Sequence, residues 1–171
     1  ETRTQREAKI MYQAYESGVD VPFIFDVALQ EYTIVMEYVE GLTMKELLEK
    51  KDSSIYALCE ILGEITARLH QASIVHGDLT PANVILRKNE RLCIIDFGLA
   101  NFSNRIEDMG IDLHLFLRAL ESSFASIAKK CFENFVKGYS IKDDYKEVLE
   151  KVSEIRKRGR YVSERRLAMK L

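Results

Sequence analysis

The order of hydrophobic patterns along this chain predicts a mixed α+β fold. Three observations carry that prediction. A helical apolar period opens the chain and returns through most of its second half. Two pairs of short, strand-like apolar runs interrupt it. The strands and helices do not alternate as parallel βαβ units would require. At 171 residues and 47% hydrophobic composition, the chain has the size and apolar content of one domain with a substantial core. No apolar run approaches the ~18 residues of a membrane span, and neither a signal peptide nor a membrane role is expected.

Each element can be justified in order. Residues 4–17 read as an amphipathic helix, with Ala8, Met11, Ala14 and Tyr15 at 3–4 spacing; Gly18 suits its C-terminal cap and Pro22 is a stop. Residues 23–29 and 33–39 are strand-like, joined by a turn at Gln30-Glu31-Tyr32, and Gly41 breaks the second run. Thr43-Met44-Lys45-Glu46 fits a capping box that opens a short helix. Residues 54–71 form the clearest helix, with Ile55, Leu58, Ile61, Leu62, Ile65 and Leu69 on one face. Two short apolar runs, 84–86 and 92–95, flank a turn at Lys88-Asn89-Glu90. From residue 108 the pattern is helical to the end, weakened near Ser122-Ser123 and Gly138.

The formal net charge of −2 hides an asymmetry. Residues 156–171 carry seven Lys/Arg and one acid, a net of +6, which leaves about −8 on the rest. A basic end on an acidic body points to a separate partner for that end. Cys59, Cys93 and Cys131 are odd in number and far apart, and read as buried reduced thiols in a cytosolic protein.

The chemistry gathers between residues 76 and 98. Asp78 and Asn83 lie five apart on the loop His76-Gly77-Asp78-Leu79-Thr80-Pro81-Ala82-Asn83, and Asp96 opens Asp96-Phe97-Gly98 at the end of a short strand. The intervening hairpin can return Asp96 to the side of Asn83. Two carboxylates and an amide then converge, a donor set suited to hard, oxygen-seeking Mg²⁺. Phosphoryl transfer needs such a set together with a positioned acceptor hydroxyl. Gly98 lets the backbone turn sharply beside the phosphates.

These residues resemble the signature of protein kinases. The resemblance implies a protein-kinase-like α+β fold with a partial N-lobe at residues 1–40 (the αC helix and two strands) and a small helical C-lobe at 41–171 with a basic tail. It implies ATP and Mg²⁺ as cofactors. Asp78 would accept or orient the acceptor hydroxyl, and Asn83 and Asp96 would hold the metal. Glu7 would be the αC glutamate that pairs with an ATP-binding lysine. Met36 would stand as gatekeeper beside the adenine. The backbone of Glu37 and Val39 would bond the adenine edge, and Ile85 and Ile95 would line the opposite wall. Asp112 would brace the catalytic loop, His76 would serve structurally, and His70 and His114 read as packing or surface residues.

The departures from the kinase pattern are informative. Gly77 stands where the usual loop has arginine, which implies that activation-loop phosphorylation is not the switch. Thr80 replaces the usual lysine, and only a stub of activation loop separates Gly98 from Asp108, with no APE motif after it. No glycine-rich loop or ATP-binding lysine occurs in the chain; both are expected just upstream of Glu1, and the chain is expected to be a fragment or part of a fusion.

The HGDLT loop, the segment Glu107-Asp108…Asp112-Leu113 and the Arg156-Lys157-Arg158-Gly159-Arg160 tail are together similar to the minimal atypical kinase of the KEOPS/EKC complex, the PRPK type of archaea and eukaryotes. That likeness implies a Ser/Thr-kinase-like ATPase. It would act beside the tRNA threonylcarbamoyltransferase subunit and other KEOPS subunits in forming threonylcarbamoyladenosine at position 37. Arg156, Arg158 and Arg160 would form the tail toward partner and tRNA, in the cytoplasm and, in a eukaryote, also the nucleus. Clustered Lys/Arg independently suits phosphate-backbone binding; a solvated helix end is the plainer alternative. Competing readings are a small-molecule phosphotransferase of the aminoglycoside or choline kinase type, a RIO-type kinase, and a non-catalytic scaffold. The first lacks room for its substrate subdomain in the residues after Asp-Phe-Gly. The second fits the tail and the ED…DL segment less well. The third sits poorly with intact Asp78, Asn83 and Asp96.

Overall fold

The computed structural model of the chain describes residues 2–50 and 53–168, with side chains through Arg158. The first helix, α1 (Arg3–Glu16), begins with a reciprocal cap: Gln5 N–H donates to Thr2 Oγ1 at 3.2 Å, and Thr2 N–H donates to Gln5 Oε1 at 2.8 Å. It ends in a Schellman turn. Gly18, at φ +79°, donates to the Tyr15 carbonyl, and Val19 donates to that of Ala14. Ile10, Met11 and Ala14 face inward, which fixes α1 against the core.

Strands β1 (Ile24–Ala28) and β2 (Thr33–Met36) pair antiparallel. A short 3-10 turn and a left-handed Tyr32 join them. Two further sheets contain, besides the apolar runs at 84–86 and 92–95, strands near residues 41, 74 and 101 that, at two or three residues, are too short to show as periodic runs. In the first, β3 (Gly41–Thr43) pairs with β5 (Val84–Arg87), which pairs with β6 (Leu92–Ile94). In the second, β4 (Ile74–Val75) pairs with β7 (Asn101–Phe102). Gly41 therefore opens a strand as well as ending the preceding run. A Cβ there would lie 2.1 Å from the Leu86 carbonyl oxygen, and only glycine permits that approach.

The remaining helices are α2 (Met44–Glu49), α3 (Ile55–Gln71), α4 (Ile106–Ser123), α5 (Ala125–Tyr139) and α6 (Tyr145–Ala168). The Thr43–Glu46 capping box opens α2. The weak points near Ser122-Ser123 and Gly138 fall at the α4–α5 and α5–α6 junctions. Leu62 and Leu69 of α3, Phe116 and Leu120 of α4, and Phe135 and Tyr139 of α5 form the centre of the helical core. Phe116, Phe135 and Tyr139 pack ring against ring through it. All three cysteines are buried and free. Among the described residues, no helix is long and apolar enough to cross a membrane.

Candidate active site

Three elements build the site: the loop between β4 and β5, the end of β6, and α4 behind them. The loop is anchored from behind. Asp112, 1% exposed on α4, accepts the His76 N–H at 2.6 Å on Oδ2 and the Gly77 N–H at 2.7 Å on Oδ1. A buried carboxylate tolerates this position because backbone donors replace its lost water. His70 Nε2 lies 3.2 Å from the same Oδ2, and His70 Nδ1 lies 2.7 Å from the Tyr139 hydroxyl. His70 therefore does more than pack. In its neutral form Nε2–H donates to Asp112 and Nδ1 accepts from Tyr139. Sequence reading gave His70 only a packing or surface role and did not single out Tyr139; a histidine and a tyrosine on apolar helix faces look like ordinary core until their partners are known.

His76 is wholly buried against Phe97, with ring centroids 5.0 Å apart. Its Nδ1 accepts the Asp78 N–H at 3.3 Å and its Nε2 lies 3.1 Å from the Ile95 carbonyl, which fixes Nε2 as the protonated nitrogen. The ring thus splices the loop to the end of β6. Gly77 has φ +79°, and a Cβ there would meet the Leu99 carbonyl oxygen at 2.4 Å. The segment after Asp-Phe-Gly occupies the space that any side chain at position 77 would need. Glycine here is imposed by packing as well as by backbone conformation.

Asp78 and Asn83 meet directly. Asn83 Nδ2 donates to the Asp78 carbonyl at 2.9 Å and to Asp78 Oδ2 at 3.0 Å. With Nδ2 so engaged, Asn83 Oδ1 and Asp78 Oδ1 accept no hydrogen bond among the described residues. Ile95 N–H donates to the Asn83 carbonyl at 3.0 Å, so Asp96 follows one residue beyond the point where the two segments join. Asp96 is exposed and held at φ +62°, a left-handed conformation uncommon outside glycine. Gly98 N–H returns to its Oδ1 at 3.3 Å.

Glu7 faces this strand end from α1. Its carboxyl is pushed above the usual glutamate value, first by burial and then by the Asp96 carboxylate, against the opposing pull of Arg3. Arg3 Nε donates to the Gly98 carbonyl at 3.1 Å, a further tie between α1 and Asp-Phe-Gly.

Met36 ends β2 opposite Ile24, and Glu37 and the buried Val39 follow in the segment to β3. The Glu37 N–H donates to the Phe23 carbonyl at 2.8 Å. Ile85 and Ile95 are half-buried on or beside the β5–β6 hairpin. Sequence reading missed Arg87, whose guanidinium is bidentate to the Glu37 carboxylate and also meets Asp20 at 3.1 Å. That pairing holds the Glu37 carboxyl below its usual range.

The tail residues lie apart from this cluster, on the outer side of α4. Arg156 pairs with Glu121 at 2.7 Å, and Arg158 pairs with Glu107 at 2.9 Å. Arg160 lies outside the residues whose side chains are described.

The donor set fits Mg²⁺ carried by a nucleotide. Among the described residues, no three His, Cys, Asp or Glu side chains cluster as a complete metal cage. Mg²⁺ seldom uses one, since it takes one or two carboxylates and fills its shell with phosphate oxygens and water. Asp96 and Asn83 Oδ1 are oxygen donors of the kind such an ion would take.

Comparison with known proteins agrees with this architecture. The RIO domain family matches residues 1–102. The chain is 47% identical over 163 residues to the KEOPS complex subunit Bud32 of Pyrococcus abyssi, covering 93% of this chain and 74% of that protein. It is 41% identical to the probable serine/threonine-protein kinase BUD32 homolog of Archaeoglobus fulgidus, covering 94% of this chain and 77% of the relative. It is also 41% identical to part of a probable bifunctional tRNA threonylcarbamoyladenosine biosynthesis protein of Methanothermobacter thermautotrophicus, covering 94% of this chain and 29% of the larger protein. Among solved structures, the Rv3197–erythromycin complex of Mycobacterium tuberculosis is similar at TM-score 0.50 and 21% identity, over 74% of this chain and 32% of that chain, which is a likeness of fold alone.

Proposed function

This chain belongs to the RIO-domain, protein-kinase-like family and to its Bud32 branch, and from that premise we propose that it transfers or releases the terminal phosphoryl group of ATP in support of tRNA threonylcarbamoyladenosine formation. The observation that carries the reading is the Asn83–Asp78 hydrogen bond, on a loop stitched to the strand end that presents Asp96. The RIO and KEOPS-kinase readings are not rivals. The RIO match ends at residue 102, whereas a 163-residue alignment with Bud32 necessarily runs on into the helices beyond it.

In this reading the residues have distinct tasks. Asp78 Oδ2 is fixed by Asn83, which leaves Oδ1 to orient the acceptor hydroxyl. Asn83 Oδ1 and Asp96 would hold Mg²⁺, which when bound spreads the charge of the phosphate oxygens. Asp112 and His76 keep the loop in register without touching the substrate. Met36 and the backbone of Glu37 and Val39 receive the adenine, with Ile85 and Ile95 across from it. Glu7 is the acidic partner for an ATP-binding lysine. The partner subunits are the tRNA threonylcarbamoyltransferase and the other KEOPS proteins, with Arg156, Arg158 and Arg160 directed to them or to tRNA, in the cytoplasm. Engaging that surface would exchange the Glu121 and Glu107 partners of the tail for phosphates or partner carboxylates.

The test is ATP hydrolysis by the full-length protein, with and without the threonylcarbamoyltransferase subunit and tRNA. Turnover that rises with the partner and disappears in Asp78→Ala and Asp96→Ala supports the reading. Robust phosphorylation of a small amine or sugar alcohol by the isolated protein, indifferent to the partner, overturns it.

A further inference from the structure

Arg87, the last residue of β5, engages three other elements. Its Nη1 and Nη2 grip both carboxylate oxygens of Glu37, Nη2 at 2.9 Å. Nη2 also lies 3.1 Å from Asp20 Oδ1, on the loop after α1, and 3.4 Å from Cys93 Sγ on β6. The Arg87 side chain is only 16% exposed. Glu37 is held from its other side as well. Its Oε2 accepts the Phe23 N–H at 3.2 Å, and its own N–H donates to the Phe23 carbonyl at 2.8 Å. In the β3–β5 register Arg87 stands opposite Gly41, the residue whose hydrogen atom lets the backbone close onto Leu86. Residues 37–41 are therefore fixed at both ends, Glu37 by a guanidinium and Gly41 by backbone contact.

A half-buried ion pair is a poor device for stability alone, since the cost of desolvating its charges offsets much of their attraction. What a planar guanidinium gives is geometry. It matches a carboxylate in two parallel bonds, which an ammonium group cannot do. Its two Nη groups are taken by Glu37, Asp20 and Cys93 and its Nε is buried without a partner, so the guanidinium turns no accessible edge to a nucleotide. We propose that Arg87 is a positioning residue for the nucleotide base: through Glu37 and Asp20 it sets the path of residues 37–41, whose backbone reads the edge of the adenine. This inference rests on the adenine reading of Met36, Glu37 and Val39 given above. Backbone reading discriminates adenine from guanine only if its carbonyl and N–H are held in place, because the two bases present opposite donors and acceptors at that edge. Arg87 thereby acts on base preference, and only indirectly on the chemistry at Asp78.

The experiment is equilibrium binding of Mg-ATP and Mg-GTP, with steady-state ATP turnover, for the full-length protein and its Arg87→Met, Arg87→Lys, Glu37→Gln, Asp96→Asn and Arg87→Met/Glu37→Gln variants. Loss of Arg87 should weaken ATP binding roughly tenfold, equivalent to about 1.4 kcal/mol, and weaken GTP binding much less, so that the preference narrows. Turnover at saturating ATP should stay within about twofold, and the double variant should bind ATP no more weakly than Arg87→Met, as expected of two residues acting through one contact. Arg87→Lys keeps the charge, guards against misfolding of the methionine variant, and should show the same narrowing. Wild-type preference in Arg87→Lys and Glu37→Gln overturns the inference while leaving the proposed function intact. A wild-type protein whose Mg-ATP binding is absent, or unaffected by Asp96→Asn, removes both.

Discussion

Asn83 Nδ2 donates to Asp78 Oδ2 at 3.0 Å, so these two residues of the loop are held together by a direct hydrogen bond. One carboxylate oxygen is thereby engaged by Asn83, and in the proposed function the other would orient the acceptor hydroxyl. Asp78→Ala should lower turnover by about 10²–10⁴-fold, the usual contribution of a positioned acid–base group. Its nucleotide affinity should change little, because Asp96, Met36, Glu37 and Val39 are untouched. Phosphate release and fluorescent-nucleotide binding, measured on the same preparation, check the split. Equal loss in both would mean that Asp78 shapes the nucleotide site instead.

Asp112 accepts two buried backbone N–H groups and faces His70. Asp112→Ala should cost about 3–5 kcal/mol of unfolding free energy, since it leaves those donors without partners in a dry site. Asp112→Asn, which keeps one acceptor oxygen, should cost less. Tyr139→Phe removes only the hydroxyl on His70 and should cost about 1 kcal/mol. Urea denaturation monitored by circular dichroism ranks the three.

The approach of α3 to α5 depends on two missing side chains. A Cβ at Gly63 would lie 1.9 Å from the Phe135 carbonyl oxygen, and one at Gly138 would lie 1.8 Å from that of Glu60. The higher helix propensity of alanine cannot compensate for pushing the helices apart. Gly63→Ala and Gly138→Ala should each destabilise by about 1–3 kcal/mol, the range for overpacked cores. Thermal denaturation would show a fall in Tm, and an unchanged Tm would contradict the packing.

Glu7 carries a pH signature. Its folded pKa is raised above the ordinary value of 4.5, by burial and then by Asp96. A raised pKa means that its contribution to stability is fully present below pH 4.5 and is lost as the pH rises through the folded value. Glu7→Gln should therefore flatten the stability profile just above pH 4.5. Asp96→Asn should lower the Glu7 titration midpoint, read by carboxyl ¹³C NMR; an unmoved midpoint would contradict the placement of Asp96 beside it.

Much of this molecule was legible before its structure. The helix at 54–71, the Thr43–Glu46 capping box and turn chemistry, and the Asp78–Asn83–Asp96 spacing all depend on local sequence, and α3 and the β5–β6 hairpin appear where the pattern put them. What stayed hidden depends on contacts distant in sequence. Arg87 reads as one more strand-end arginine until Glu37, fifty residues away, is seen in its grasp. His70 and Tyr139 are apolar-face residues until Asp112 joins them. β4 and β7 are too short to carry a period, and the steric need for Gly77 comes from Leu99, a residue of another segment.

The central claim is that Asp78, Asn83 and Asp96 form a Mg-ATP phosphotransfer site, and Mg²⁺-dependent phosphate release by the full-length protein with its partner subunit tests it most directly. The account predicts turnover in the wild type that requires Mg²⁺, falls at least 10²-fold in Asp96→Asn and Asp78→Ala, and leaves both variants folded with wild-type circular dichroism. Undiminished phosphate release from folded Asp96→Asn protein would contradict it.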